Sequence, residues 1–324
     1  MTVAPPDVAI ASHPMHSGER TWTETNCYVD VWIELLHHLG LDPEPALMSA
    51  LSADFQGDQW VFLKVAPGDL RDLYGIDVAE MNVWRSVRDH VVEQLELGRR
   101  TTVEVDSWWL PDTAGVSYHL DHVKTTIVPT LVDVEGRRMR YIHSSGHHLL
   151  EGDDFDRVFD LRVGDDGPSL PPYVEVVRLD RFVDPADLPA RAVLLAHQHL
   201  ARRPVDNPVD RLAARLVADL PWLREQGLET FHLYAFGMIR QFGVTAEIAA
   251  DVVDWLTEHA QAGLADAALL FRQASSQAKT LQFQVARAVS GRNVDIEALV
   301  RPMAISWAAA MDEVVAWDSA AGLA

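Results

Sequence analysis

Residues 23–41 read TETNCYVDVWIELLHHLGL, and the chain's one cysteine, Cys27, stands where a polar stretch gives way to an apolar run. Val29, Ile33, Leu36 and Leu39 recur at three- and four-residue steps, so the spacing predicts a helix over 28–39, closed by Gly40. A helix N-terminus carries about half a positive charge and several unpaired N–H groups. A thiolate is stabilised there, and the same N–H groups can hold an oxyanion formed beside the sulfur. The competing reading is a small buried hydrophobe, the commoner fate of a free cysteine.

After this helix, 40–52 suggests a turn and a second short helix, DQWVFLKV (58–65) alternates like a strand or a buried extended segment, and PGDLRDLYGID (67–77) opens like a helix. VWRSVRDHVVEQLELGR (83–99) is amphipathic and ends at Gly98. TTVEVDSWWLP (101–111) is a strand stopped by Pro111, HVKTTIVPTLVDVEGRRMRYIH (122–143) a hairpin turning around Asp133 to Arg137, and PPYVEVVRLDRF (171–182) another strand. From Asp184 onward six segments carry a helical apolar stripe. The order predicts an α+β fold with a first domain over 1–180 and an all-helical domain over 181–324, separated within the Pro- and Asp-rich stretch from Gly164 to Pro189.

The 324 residues carry a net charge of −21, which opposes binding to nucleic acid and anionic lipid. One cysteine excludes an intramolecular disulfide and fits a reducing, cytoplasmic setting. Residues 1–20 lack the basic start and apolar core of a secretory signal, and no apolar run approaches the ~20 residues of a membrane helix.

A nucleophile needs a base, and His119, His122, His143, His147 and His148 cluster around the predicted hairpin. His122 precedes one strand and His143 closes the next, a layout that suits a thiol–imidazole pair as well as it suits polar strand caps. A metal reading of the same histidines with Asp121 is weaker. HxxH on an irregular segment carries little information, no HExxH occurs, and adjacent residues 147 and 148 cannot both face one ion from a strand, so no metal is expected. No phosphate-cradling glycine motif supports nucleotide binding.

Cys27 with the helix behind it, VEVDSWWLP (103–111) and the strand begun by His122 resemble the N-terminal domain of butirosin biosynthesis protein H and its relatives, within the papain-like cysteine peptidase superfamily. The whole chain, including ETFHLYAFGMIRQFG (229–243) and AKTLQFQVARAV (278–289), resembles the bacterial family called domain of unknown function 1839. The resemblance implies a papain-like first domain and an acyl-transfer site with Cys27 as nucleophile and His122 as base. The expected reaction takes an acyl or aminoacyl group from the phosphopantetheine thioester of a carrier protein to a small-molecule amine, with no other cofactor. A thioesterase or amidase using the same residues, and a non-catalytic binding protein, are the alternatives. The third member of the site falls on His143, with Asp106 and Asp121 as alternatives, and the oxyanion donors on the Cys27 N–H with Asn26 or Thr25. Losing one oxyanion donor costs ~3 kcal/mol, which an activated thioester tolerates better than an amide.

Trp22, Trp32, Trp108 and Trp109 lie near these residues in sequence and would suit an apolar acyl pocket, with core packing as the competing reading. Lys279 and Arg287, eight residues apart, share one helix face with Arg272 nearby. They are the expected site for the pantetheine phosphate or an acidic carrier helix, against a reading as ordinary surface charge.

Overall fold

The computed structural model describes residues 11–162, 169–170 and 172–320. It is a mixed α and β chain with a sheet region first and a helical region after it. The elements run α1 (Cys27–His38), β1 (Phe55–Gln56), β2 (Gln59–Trp60), α2 (Pro67–Tyr74), β3 (Asp77–Glu80), α3 (Val87–Glu96), β4 (Arg100–Asp106), β5 (Lys124–Asp133), β6 (Arg138–His143), β7 (Gly146–Glu151) and α4 (Gly152–Arg157). Next come β8 (Leu161–Arg162), β9 (Ser169–Leu170), β10 (Val174–Arg178), α5 (Leu188–Leu200), α6 (Pro208–Gln226), α7 (Leu228–Ala235), a π-helical turn (Phe236–Arg240), α8 (Gln241–Ala260), α9 (Ala265–Val289) and α10 (Ile296–Ala320).

Two compact units emerge. The sheet unit comprises the residues up to Gly18, Asn26–Pro43 and Leu70–Val183, and the helical unit comprises Glu19–Thr25, Glu44–Asp69 and the chain from Asp184. The last change of unit lies beside the expected boundary, but the expected single first domain yields Glu19–Thr25 and Glu44–Asp69 to the helices. Within the expected linker, 164–168 and 171 lie outside the described residues, as do positions 1–10 of the segment read for a signal.

In the sheet unit six antiparallel strands run in the order β3-β10-β4-β5-β6-β7. Side chains alternate along each strand, so the two faces differ. Val103, Val105, Ile127, Met139, Tyr141, Leu150 and Val174 pack with Val87 and Val91 of α3 and Phe155 of α4 into one core. α1 packs against β5 and β6. Its first residues reach β4 and β10 from the other face, because Tyr28 bonds Glu175, whose cross-strand partner Thr102 is the neighbour of core residue Val103. The β5–β6 hairpin turns over Val134–Arg137 with register pair Asp133↔Arg138, where the sequence places it.

α1 begins where it does because the Asn26 side chain accepts hydrogen bonds from the Tyr28 and Val29 N–H groups, satisfying two of the first turn's free donors. Gly75 ends α2 with φ +74°, and a Cβ there would lie 1.9 Å from the Arg181 carbonyl oxygen, so glycine is required twice over.

The helical unit holds α5–α10 around an aromatic core. Trp60 packs edge-on to Phe242 (centroids 4.9 Å apart) and Trp307 (6.0 Å), and Phe271 meets Trp307 at 5.2 Å. Within 58–65 the strand covers Gln59–Trp60, and Trp60 anchors in this core and donates its Nε1–H to Thr245 Oγ1 at 3.1 Å. Residues 44–52, expected as a short helix, form a 3₁₀ segment. Among the described residues no helix is long and apolar enough to cross a membrane.

Candidate functional site

Cys27 is the first residue of α1, half-buried and a free thiol. Tyr28, the next residue, donates its hydroxyl to Glu175 Oε2 at 3.2 Å, and Thr102 Oγ1 donates to the same oxygen at 2.7 Å. Thr102, Glu104 and Asp106 share one face of β4, so α1 begins over the face that carries Asp106. Four residues separate Thr102 from Asp106, about 13 Å at the usual strand rise.

At the far end of β4, Asp106 Oδ1 accepts the Trp108 N–H at 3.0 Å, and Oδ2 lies 2.6 Å from His122 Nδ1. The imidazole stacks on the Trp108 indole, with centroids 4.4 Å apart and planes 10° from parallel. Its side chain is 64% exposed. A carboxylate on Nδ1 selects the tautomer with the proton on that nitrogen and leaves Nε2 as the base. His122 stands two residues before Lys124, the cross-strand partner of Asp106. The sulfur and the imidazole are not hydrogen-bonded to each other.

His143 is not the group that orients His122. It pairs across the sheet with Ile127, on the core face opposite α1. Nδ1 lies 2.5 Å from Asp112 Oδ2 and Nε2 lies 2.8 Å from Thr125 Oγ1, so both nitrogens are engaged. Asp112 also accepts the Tyr141 hydroxyl. Burial pushes the Asp112 carboxyl up, but the hydrogen bonds from His143 and Tyr141 outweigh it and hold it below the usual carboxylate range. The alternation TTVEVD fixes which side chain reaches His122: Asp106 ends β4 on the face α1 covers. Asn26 caps the helix through its side-chain oxygen.

The expected pocket residues disperse. Trp22 is buried in the helical unit: its Nε1–H donates to Ser275 Oγ at 3.0 Å and its backbone N–H to Glu247 Oε2 at 3.0 Å. A Cβ on Gly243 would lie 2.6 Å from the Trp22 ring. Trp32 is fully buried in the sheet unit. Trp109 packs against the core under α3 with the Arg157 guanidinium 5.5 Å from its centroid. Trp108 is the tryptophan that stacks on His122.

Lys279 and Arg287 stand in different surroundings on α9. Lys279 Nζ sits 4.0 Å from the Trp22 ring centroid and 3.4 Å from the Thr21 carbonyl oxygen. Arg287 donates to Gln284 on its own helix, and Arg272 pairs with Asp254 at 2.5 Å. Lys279 and Arg240, which donates to the Glu24 and Thr25 carbonyls at 2.8 and 2.7 Å, instead fasten the segment that runs into Asn26 and Cys27. Cavities of about 530 and 560 Å³ open beside α10 and one of about 500 Å³ beside α3, and Cys27 and His122 line none of these.

Sequence reasoning missed Glu175, Tyr28 and Tyr173. The available signal was a single glutamate inside the apolar strand YVEVV. Among the described residues no group of three or more His, Cys, Asp or Glu side chains could hold a metal ion.

No curated protein matches the chain. Residues 11–179 match the family model described as the DUF1839 N-terminal domain and residues 186–316 the one described as the DUF1839 C-terminal domain. The two matches span most of the sequence, and the chain belongs to the DUF1839 family.

Proposed function

We propose that the protein is a cysteine-dependent acyl- or aminoacyltransferase with a papain-like first domain. The observation that carries the reading is the oriented imidazole: His122 held through Nδ1 by Asp106, on the sheet face where α1 starts with Cys27. A helix opened by cysteine and laid on an antiparallel sheet, with histidine ahead of a strand, supports the papain-like assignment.

In the proposed reaction His122 Nε2 takes the proton of the Cys27 thiol, and the sulfur attacks the thioester carbonyl. The Cys27 N–H at the start of α1 faces the developing oxyanion. The bond from the carbonyl carbon to the carrier's sulfur breaks, and that sulfur takes the proton from the imidazolium. The acceptor amine then attacks the Cys27 thioester, giving its proton to Nε2, and the Cys27 sulfur leaves and regains it. Asp106 stabilises the imidazolium in both halves. The carrier protein and its phosphopantetheine arm rest on the family resemblance.

Incubation with carrier proteins loaded with acyl or aminoacyl groups, read by mass spectrometry, is expected to show the acyl mass on Cys27 and none on a Cys27→Ala variant. Absence of an adduct with every loaded carrier would sink the proposal. Free acid released without an amine would move the reading to a thioesterase or amidase.

A further inference from the structure

Among the described residues five acidic side chains are buried: Asp30, Glu34, Asp69, Glu175 and Glu247. Four of them have a basic partner. His16 lies 3.3 Å from Asp30 and 2.5 Å from Glu34, His199 lies 2.9 Å from Asp69, and Arg20 lies 3.7 Å from Glu247. Glu175 is the exception. It is 3% exposed, and its described partners are three neutral hydroxyls: Thr102 at 2.7 Å, Tyr28 at 3.2 Å and Tyr173 at 3.1 Å. Its cross-strand partner on β3 is another acid, Glu80, and Glu104 follows Thr102 on the same face of β4. Glu104 has Lys124 at 2.7 Å, while among the described residues no lysine, arginine or histidine pairs with Glu175.

Burying a carboxylate without a cation is costly, and hydroxyl donors offset only part of that cost. The arrangement lies one residue from Cys27, through Tyr28. Burial and the Glu175 charge push the Tyr173 hydroxyl up to about 12 and the Tyr28 hydroxyl higher still, so both phenols keep their protons and donate them to the carboxylate. The Tyr173 oxygen retains a lone pair for a donor from outside, and Tyr173 is 38% exposed. An ammonium there meets that polarised oxygen, an aromatic face and the field of Glu175.

We infer that Glu175, with Tyr28 and Tyr173, forms a subsite for an ammonium carried by the acyl group bound at Cys27. The subsite rests on the reading of Cys27 as the nucleophile, and it selects cationic aminoacyl donors over neutral or anionic ones.

Methanethiosulfonate reagents test it without the natural substrate. The Cys27 sulfur attacks the reagent's sulfenyl sulfur, a mixed disulfide forms and methanesulfinate leaves. Rates at Cys27 are measured by mass spectrometry for the 2-aminoethyl, methyl and 2-sulfonatoethyl reagents, each normalised to a small free thiol. The wild-type ratio of cationic to anionic rates is expected to exceed about 30, within the range focused fields give. It should fall about tenfold in Glu175→Gln and stay unchanged in Glu313→Gln, an exposed site on α10 that controls for the overall charge. Tyr173→Phe, which removes only the outer phenol oxygen, should lower the ratio too and serves if Glu175→Gln fails to fold. An unchanged ratio in the folded Glu175→Gln protein, or in Tyr173→Phe where the first variant does not fold, overturns the subsite. A Cys27 inert even to the neutral methyl reagent overturns the nucleophile itself, a separate outcome.

Discussion

His122–Asp106 and His143–Asp112 belong to one sheet and have nearly equal hydrogen bonds, 2.6 and 2.5 Å, yet they are built for different ends. The His143 side chain is 6% exposed, has both nitrogens engaged and shares its carboxylate with Tyr141. The His122 side chain is 64% exposed, engaged through Nδ1, and backed by an indole that fixes the ring plane. The difference teaches how to read such pairs. A closed pair fixes the fold, and an open one can exchange a proton with something outside the protein.

The largest effect should come from breaking the closed pair. Asp112→Ala leaves His143 and Tyr141 without their acceptor and is expected to cost about 3–5 kcal/mol in urea unfolding at pH 7. A loss under about 1 kcal/mol would erase the contrast. The pH dependence has a definite sign: the folded Asp112 carboxyl lies below its unfolded range, so its contribution is present above about pH 4 and is lost as pH falls further. Asp112→Asn should flatten that acid limb.

His16 is a second closed case, fully buried between Asp30 and Glu34 of α1. Burial opposes its charge, but the hydrogen bonds to the two carboxylates outweigh that and raise it from 6.5 to about 9. Its stabilisation, about 3 kcal/mol by linkage, is complete below pH 6.5 and fades as pH rises through 9. A His16→Gln protein should lose stability at pH 6 and show a flatter profile between pH 6.5 and 9 in the same unfolding assay.

The open pair should behave in the opposite way. Trp108→Ala removes the ring behind His122 and is expected to cost about 1 kcal/mol while slowing Cys27 acylation severalfold. His122→Ala should change stability least, within about 0.5 kcal/mol, because an exposed side chain gives up little burial. It should nevertheless reduce Cys27 acylation by about a hundredfold or more. Unaltered acylation in His122→Ala, measured beside a folded control, would remove the base from the mechanism.

Much of this was legible in the sequence because it is local. The start of the first helix near Cys27, the hairpin turn after Asp133, the strand into Asp106 and the helical character of the C-terminal block depend on spacing that a few neighbouring residues set, although the break expected after Gly243 falls inside α8. The partners of single side chains depend on tertiary placement. Nothing near position 143 in sequence says that its imidazole meets Asp112, or that Lys279 covers Trp22, from which it is 257 residues away. Nor does the stretch 58–65 itself say that Trp60 meets Phe242 and Trp307.

The chain crosses between its two units five times, at 18/19, 25/26, 43/44, 69/70 and 183/184. A nuclease or a gene-fusion event that cut once near residue 180 would therefore hand the helices' own Trp22 and Trp60 to the other fragment. Both pieces would emerge damaged, one with cavities and the other with stranded aromatic side chains. Shuffling the halves of such a chain among relatives requires co-adapted segments from three places in the sequence.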